Sequence, residues 1–468
     1  MSQSYTYANP VLSLWQAAVA EVHRNHAVDP APMTPAISLR VDTAAAPALN
    51  SIRALMAPAS LIADSIGAGQ TPSLDSIDTA PVTAATTTIA PHITAAPMTV
   101  VGTIVDCAKT AAKFLWAEMT GNQAQSQILA GELKDAECDP LWAECVTTYL
   151  GYKISGGNLP YRPNLDPVID LGSATKLAII GDWGTGDPVA VNLLKQVAAL
   201  QPDVLIHLGD IYYAGTQSEA QGNFLNNCRQ YLGNIPIFSM CGNHDMYSGG
   251  NGYYWLVDQL NQQASYFCLQ NADWQFLAMD TGYHDNDPLT VATNMTQLVT
   301  QGSWSEANWH LEKIQQAAGR KTILLSHHQL FSAFGSVGNQ NGQPYAYNPN
   351  LYASFQTVIP QVAAWFWGHE HTLALYESCM GLQAGRCVGA SAVPVFTDQQ
   401  SYTTATGLQT LTGQDMAVWD PAAVLGNNGS DYNNAFAFIT LNGPAATVDF
   451  YQVPIMGTAT KFPVSDTL

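Results

Sequence analysis

Charged residues are scarce in this sequence, and basic residues are the scarcest. Asp, Glu, Lys and Arg together make up 11% of the 468 residues, and 16 Lys and Arg stand against 36 Asp and Glu, which gives a formal net charge of −20. No cluster of Lys and Arg occurs anywhere along the chain. An acidic chain repels nucleic acids and anionic membranes unless a local basic patch offsets its charge. We therefore expect no nucleic acid as partner or substrate.

Long apolar runs and paired cysteines are absent too. The longest apolar runs have the length of a β-strand, so the sequence predicts no transmembrane segment. The N-terminus lacks the basic region followed by an apolar stretch that marks a secretory signal peptide. We therefore expect the protein to be cytoplasmic or to be exported by a route that does not use such a peptide. The eight cysteines are scattered singly, without a CxxC pair, which favours reduced, buried thiols. Cys379 and Cys387 flank a Gly-containing turn and could bridge only in an oxidising compartment.

The sequence falls into two parts, as a chain long enough for two or three domains can. Residues 1–170 are predicted to form a mainly helical extension or cap, with helical spacing at 10–22 and 101–149 around a tract rich in Ala, Thr and Pro. Residues 171–468 are predicted to form a catalytic domain in which apolar strands alternate with helices. The role of the first part stays open.

Five short polar motifs follow apolar, strand-like segments at 177–180, 204–208, 235–240, 322–325 and 363–367. The motifs are Gly181-Asp182-Trp183-Gly184, Gly209-Asp210-Ile211-Tyr212-Tyr213, Gly242-Asn243-His244-Asp245, Ser326-His327-His328 and Gly368-His369-Glu370-His371. Binding sites in open α/β sheets form beyond the carboxyl ends of strands, so we expect one sheet to gather all five motifs. The later apolar segments 373–376, 388–396, 436–441 and 447–451 are expected to close a second sheet.

These motifs can be interpreted as metal ligands or as ordinary structural residues. Their carboxylate, phenolate, amide and imidazole donors suit iron, manganese or zinc, and none of them offers a thiolate. Alternatively, Asp182 and Asp210 could cap the following helices, and Asn243 could be a turn residue. His369 and His371 would point to the same side of an extended chain, so both could reach one centre. Five motifs in one fixed order favour the ligand interpretation.

The order and spacing of the motifs resemble the calcineurin-like metallophosphoesterases, and within them the purple acid phosphatases, over residues 175–453. The resemblance implies an α/β fold, an α+β sandwich of two mixed β-sheets flanked by helices. Gly184 stands where most relatives have a ligating His, and Tyr213 stands three places after Asp210, as in the purple enzymes. The Asp-Arg-Gly run of the Ser/Thr protein phosphatases is replaced here by residues 211–213.

A centre of two metal ions is what this resemblance implies. The first ion would be held by Asp182, Asp210, Tyr213 and His371. The second ion would be held by Asp210, Asn243, His327 and His369, with Asp210 bridging the two. Tyr213 as a phenolate would favour Fe(III) in the first site, with Fe(II), Zn or Mn in the other. Tyr213 could instead pack against the strand, a place that Tyr212 could equally take.

Three further residues receive roles beside the ligands. The resemblance implies that His244 faces the substrate, where it would donate a proton or offset charge. His328 is assigned to support the centre, and Asp245 to order the turn. Residues 331–350 contain no histidine, whereas purple relatives carry further histidines there that favour monoesters. His284 could substitute for them or be a surface residue.

The function implied by these motifs is hydrolysis of small phosphomonoesters by a metal-bound hydroxide at mildly acidic pH. Two ions about 3.5–4 Å apart can clamp a phosphate during an in-line displacement. A phosphodiesterase on the same centre is an alternative, favoured by the missing histidines. A phosphate-binding or interaction protein without turnover is another, but it predicts an absent ligand, and all seven ligand positions are filled. The substrate and the oligomeric state stay open.

Overall fold

The computed structural model describes residues 159–468, apart from residue 213 and short gaps at 287–295, 341–342, 394, 396, 398–401, 412–415, 429–430 and 455–456. The predicted helical extension therefore lies outside the described residues as far as residue 158, and the domain boundary after residue 170 stays a prediction. Within the described ranges, no helix has the length and apolar character needed to cross a membrane.

A six-stranded mixed sheet carries the first three motifs. Its strands are β2 (Lys176–Ile180), β3 (Val204–His207), β4 (Ile237–Ser239), β15 (Asn434–Asn442), β16 (Ala445–Val453) and β17 (Thr460–Thr467). The strand order is β17–β16–β15–β2–β3–β4. β2, β3 and β4 run parallel, so their carboxyl ends lie at the same edge, and the remaining pairs are antiparallel.

A seven-stranded mixed sheet carries the last two motifs. Its strands are β1 (Val168–Asp170), β5 (Phe267–Gln270), β6 (Trp274–Ala278), β9 (Lys321–Ser326), β12 (Val362–Trp367), β13 (Leu373–Tyr376) and β14 (Gly385–Val388). The order is β1–β5–β6–β9–β12–β14–β13, and β6, β9, β12 and β14 are successively parallel. Two short hairpins lie outside both sheets, β7 (Thr300–Gln301) with β8 (Trp304–Ser305) and β10 (Gly338–Gln340) with β11 (Gln343–Tyr345).

Helices connect the strands. They are α1 (Pro188–Ala199), α2 (Gln217–Glu219), α3 (Asn226–Leu232), α4 (His244–Tyr247), α5 (Asn251–Gln259), α6 (Glu306–Gln315) and α7 (Pro349–Phe355). A π-helical stretch, Ala220–Leu225, joins α2 to α3, and short 3₁₀ turns occupy Ile359–Gln361 and Pro421–Ala423. As the Asp-Pro pair predicts, α1 begins with Asp187 at the N-cap and Pro188 in the first turn.

Alternate residues of the buried strands face two different cores. In β2, Leu177 and Ile179 pack between the two sheets, whereas Ala178 and Ile180 pack in a cluster shared with α1. In β9, Leu324 points away from the other sheet into a cluster shared with α6 and α7. Strands buried on both faces read as continuous apolar runs, which is why the sequence shows them clearly. This layering confirms the predicted fold of two mixed sheets flanked by helices.

Two expectations about the sheets are wrong. The motifs follow strands of both sheets, not one, because β2, β3 and β4 lie in the six-stranded sheet while β9 and β12 lie in the seven-stranded sheet. The chain passes to the second sheet through the β5–β6 hairpin, which no motif marks. In the described part of 388–396, only Val388 belongs to a strand, and β13 and β14 extend the seven-stranded sheet beside β12.

Candidate metal centre

The turns that carry the motifs have an unusual backbone. Asp182, Asp210 and His369 take positive φ angles of 57°, 73° and 63°. Residues other than glycine rarely adopt this region, and such strained positions concentrate at functional sites. The turns bend these three side chains back over the strand ends, toward one another. Gly209, just before Asp210, has a φ of 108°, which favours glycine.

Close approach between motifs requires a second glycine. A Cβ added to Gly368 would lie 2.5 Å from Oδ2 of Asp182, which a real side chain cannot tolerate. The backbone N–H of His369 donates to that same oxygen at 2.8 Å. The last motif of one sheet is therefore held against the first motif of the other by a direct hydrogen bond.

Four donor atoms form a first group. His371 Nε2 lies 3.3 Å from Asp182 Oδ1. The hydroxyl of Tyr212 lies 3.0 Å from Asp182 Oδ1, 3.2 Å from Asp210 Oδ2 and 3.1 Å from His371 Nε2. Asp182, Asp210 and His371 are thus brought together, as the sequence predicts. Tyr213, the fourth predicted member, lies outside the described residues.

A second group shares one atom with the first. His327 Nε2 lies 3.3 Å from Asp210 Oδ2, 3.0 Å from Asn243 Oδ1 and 3.2 Å from His369 Nδ1. His369 Nδ1 lies 3.0 Å from the same Asn243 oxygen. All four residues predicted for the second ion therefore lie together. Asp210 Oδ2 belongs to both groups.

The spacing of both groups fits metal ions. Neighbouring ligands around a six-coordinate ion with bonds of about 2.1 Å lie about 3.0 Å apart. The eight donor pairs described above are separated by 3.0–3.3 Å. Hydrogen bonding alone accounts poorly for the second group, because one N–H on His327 Nε2 cannot serve three neighbours at once. The oxygen and nitrogen donors suit iron, manganese or zinc.

The ligand atoms are oriented by hydrogen bonds made on their other side. Asp182 uses Oδ2 for the His369 N–H, and Asp210 uses Oδ1 for the His244 N–H at 2.9 Å, which leaves one oxygen of each facing the centre. His327 Nδ1 lies 3.1 Å from the carbonyl of Leu208. Because a carbonyl only accepts, Nδ1 carries a hydrogen, and Nε2 is the nitrogen left to face the metal site.

Hydrogen bonds also orient the side chains of the third motif. Asn243 Nδ2 donates to the hydroxyl of Tyr247 at 2.6 Å, which directs Oδ1 toward the two histidines. The carboxylate of Asp245 accepts from the backbone N–H groups of Gly242, Asp210 and Ile211 at 2.8, 3.0 and 3.2 Å. It therefore joins the second motif to the third. The sequence offers no signal for Tyr247, whose contact depends on the single turn of α4.

The electrostatics of the buried groups favour a cation at their centre. Burial raises the pKa of Asp210, but the imidazoles of His327 and His244 outweigh burial and hold that pKa well below its usual range. Burial lowers the pKa of His327, yet the carboxylates of Asp210 and Asp182 raise it to about 9. Burial and the neighbouring imidazoles lower the pKa of His369. A proton on His327 thus balances the carboxylates, and a metal ion would replace that proton.

His244 lies at the edge of the centre without joining either group. Its buried ring packs between the rings of Tyr212 and Tyr247, at centroid distances of 4.5 and 4.8 Å. Its backbone N–H bonds Asp210, which fixes the imidazole beside the shared carboxylate. This position next to both groups suits contact with a bound substrate.

Two polar residues that the sequence analysis did not identify, Thr281 and Asp285, contact the ring of His328. Its Nδ1 lies 3.0 Å from the hydroxyl of Thr281, and its Nε2 lies 3.0 Å from Oδ2 of Asp285. The His328 ring lies 4.4 Å from the ring of His369. His284, which the sequence suggested as a substitute histidine, is exposed, whereas its neighbour Asp285 is buried. No signal in the sequence joins residues so far apart.

One comparison with known proteins, the match to a family model, agrees with the motif pattern. Residues 175–373 match the family model described as calcineurin-like phosphoesterase. No match was found among curated proteins. Among solved structures, the purple acid phosphatase PPD1 from yellow lupin (Lupinus luteus) seeds is similar at 14% identity and a TM-score of 0.42, with 64% of this chain and 54% of that chain covered. The chain thus spans about half the length of the lupin protein.

Two other solved structures show a weaker likeness. GAP50, the anchor in the inner membrane complex of Plasmodium, is 12% identical with a TM-score of 0.36, and 63% of this chain and 90% of that chain are covered. A Vps29 single mutant from Entamoeba histolytica is 10% identical with a TM-score of 0.28, covering 63% and 99%. At such scores the likeness carries no functional conclusion.

Proposed function

Residues 175–373 belong to the calcineurin-like metallophosphoesterase superfamily, and from this premise we propose that the protein is a phosphatase that hydrolyses small phosphomonoesters with two metal ions at mildly acidic pH. The family and the gathered ligand set support a metal-dependent phosphoesterase. The number of ions, their identity and the preference for monoesters are the parts that we propose.

The single observation that carries the proposal is the position of Asp210 Oδ2. This oxygen lies 3.2 Å from the Tyr212 hydroxyl in the first group and 3.3 Å from His327 Nε2 in the second. A carboxylate oxygen shared by two donor groups suits the bridge of a dinuclear centre. When bound, the ions supply Lewis acidity for the phosphate and lower the pKa of water toward about 7.

In the proposed centre, each of these residues would have a specific role. Asp182, Asp210 and His371 would hold the first ion with a tyrosine phenolate, and Fe(III) suits that site. The second ion, Fe(II), Zn or Mn, would be held by Asp210, Asn243, His327 and His369. His244 donates a proton to the leaving oxygen of the substrate. The pair of His328 and Asp285 keeps the ring of His369 in place.

Metal analysis combined with a substrate panel tests this function. We expect about two ions per chain, loss of turnover after chelation and recovery on reconstitution, because both donor groups need a cation. The panel consists of p-nitrophenyl phosphate, an alkyl phosphate and bis(p-nitrophenyl) phosphate. Full turnover in the metal-free protein, or none in the loaded protein, would overturn the proposal.

The variant that tests the bridge is Asp210→Ala. It should lose activity and most of both ions, because it removes one ligand from each group. Asp258→Ala serves as the matched control, since that carboxylate is 58% exposed and pairs with Arg162 at the surface. The control should keep both ions. Full metal occupancy in Asp210→Ala would show that Asp210 is not a ligand.

A phosphodiesterase is the second candidate, and one observation favours it. Residues 331–350 contain no histidine that could contact the extra charge of a monoester. Within the same panel, faster hydrolysis of bis(p-nitrophenyl) phosphate than of p-nitrophenyl phosphate would select the diesterase. An interaction protein without turnover would hydrolyse neither compound.

A further inference from the structure

We propose that Tyr212, and not Tyr213, supplies the phenolate ligand of the first metal site. This inference rests on the proposed metal centre and adds to it the identity of one ligand. It departs from the spacing that the resemblance suggests, in which the tyrosine stands three places after the bridging aspartate.

The hydroxyl of Tyr212 meets the geometric requirement of a ligand. It lies 3.0–3.2 Å from one donor atom of each of Asp182, Asp210 and His371. These are the separations expected between neighbouring ligands that share an ion. A tyrosine that merely packed against the strand would not need to place its oxygen within reach of all three polar atoms.

The local backbone explains why Tyr212 points inward. Asp210 contributes to the centre, Ile211 packs in the apolar cluster shared with α1, and Tyr212 returns to the centre. The turn that begins at Asp210, with its positive φ of 73°, thus directs Ile211 away from the centre and Tyr212 into it. The segment is also anchored, since the Tyr212 N–H donates to the Gly184 carbonyl at 3.1 Å and its own carbonyl accepts from Asn223 at 3.1 Å.

No ligand can reach the first group from position 184. A Cβ added to Gly184 would lie 2.8 Å from the Cα of Ile211, so no side chain can enter the first group from this position. The first and second motifs are joined here by a bridge between Gly184 and Ile211. The same contact holds residue 184 beside the segment that carries Tyr212.

Visible absorption tests the assignment without reference to turnover. A phenolate bound to Fe(III) gives a charge-transfer band in the visible region. The protein is stripped with a chelator and reconstituted with ferric iron, and its spectrum is compared with those of Tyr212→Phe and Tyr213→Phe. We expect the band in the wild type and in Tyr213→Phe, and its loss in Tyr212→Phe.

A less disruptive substitution covers the case in which Tyr212→Phe fails to fold. Introducing 3-fluorotyrosine at one position at a time keeps the hydroxyl and changes the phenolate electronically. A shifted band with the label at position 212, and an unchanged band with it at 213, would support the proposal. A shift or loss produced only at 213, bands lost at both positions with iron retained, or ferric wild type without a band would overturn it.

The two proposals can fail separately. If the band depends on Tyr212 but no phosphate ester is hydrolysed, the ligand assignment stands and the function is wrong. If esters are hydrolysed but the band depends on Tyr213, the function stands and the ligand assignment is wrong.

Discussion

In each of the two aspartates of the centre, one carboxylate oxygen accepts a hydrogen bond from the backbone and the other faces the candidate metal site. Asp182 gives Oδ2 to the N–H of His369, and Asp210 gives Oδ1 to the N–H of His244. The remaining oxygens converge with the imidazoles and the Tyr212 hydroxyl. Because the orientation is set by backbone groups, the ligands are held in position before any ion binds, which reduces the entropy cost of binding.

His244 is the residue whose proposed role does not depend on binding a metal. Replacing it with Ala should leave both ions in place, while turnover falls by about 10²–10⁴-fold if the imidazole acts as general acid. The loss should be smaller for aryl than for alkyl phosphates, because aryl leaving groups need no proton. Turnover of both ester types, together with metal analysis, checks this prediction.

The exposed His284 provides the control for this measurement. His284→Ala should change neither turnover nor metal content. Loss of metal in His244→Ala would make His244 a structural residue. An equal loss for aryl and alkyl esters would mean that it offsets phosphate charge and does not supply a proton.

The sequence could predict which side chains come together, but not every contact among them. Asp182 and Asp210 follow apolar strands and a glycine, so their place at a strand end is readable from the pattern. The turn after Asp210 brings the Tyr212 hydroxyl to the centre, and two adjacent aromatics in the sequence give no signal for that contact. The contact of His328 with Asp285 joins a strand end to a distant turn, which no local pattern encodes.

Among the elements, the strands themselves could be predicted from the sequence, but the sheet to which each strand belongs could not. β2 and β9 both read as apolar runs because each is buried on both faces. An apolar run does not indicate which of the two sheets the strand joins. The chain between β4 and β9 decides this, because it contains the hairpin of β5 and β6, which belongs to the seven-stranded sheet. This hairpin carries none of the five motifs.

Strand β17 is tied to the seven-stranded sheet by an ion pair. Arg386 of β14 makes two bonds to Asp466 of β17, at 2.7 and 2.8 Å, and also donates to the carbonyl of Tyr376 at 2.7 Å. Arg386 is 8% exposed. A guanidinium so buried needs its counter-charge, so the pair links one sheet to the other.

Asp466→Ala should destabilise the fold, because it leaves this guanidinium buried without its carboxylate. Losing one partner of a buried pair costs about 3–5 kcal/mol, and partial exposure of Asp466 places the expected loss near the lower end. The free energy of unfolding in urea measures it. A loss below about 1 kcal/mol would mean that the pair behaves as a surface contact.

The same strand supplies the matched control. Lys461 pairs with Asp449 at 2.7 Å, but its side chain is 46% exposed. Lys461→Ala should therefore cost less than about 1 kcal/mol. The contrast separates the effect of burial from the effect of merely removing a charge from β17.

On the scale of the whole molecule, a buried polar network joins the start of the described chain to the seven-stranded sheet. Glu306, the first residue of α6, accepts from the Tyr161 hydroxyl at 2.7 Å and from the Asp280 N–H at 2.8 Å. His310 Nε2 lies 3.2 Å from the same carboxyl group. Burial raises the pKa of Glu306 to about 8 and that of Asp280 to about 7, and burial lowers the pKa of His310 to about 3.

The raised pKa of Glu306 and the lowered pKa of His310 make the stability of the fold depend on pH in opposite directions. The folded protein keeps a proton on Glu306 between its ordinary pKa of 4.5 and about 8, while the unfolded chain releases it. The stabilisation by this protonated form is complete below pH 4.5 and is lost as the pH rises toward 8. His310 works the other way, since its neutral folded form is disfavoured as the pH falls below 6.5.

Glu306→Gln removes the first of these two effects and leaves the second. Between pH 5 and 8 we expect the unfolding free energy of the wild type to fall relative to that of the variant, by up to about 1.4 kcal/mol per pH unit. Urea unfolding of both proteins at several pH values measures the difference, and the contribution of the metal centre cancels because both proteins carry it. Glu312→Gln, an exposed position on the same helix, should run parallel to the wild type. Parallel curves for Glu306→Gln and the wild type would mean that Glu306 is already ionised in the folded protein, held as a carboxylate by the N–H and hydroxyl donors around it.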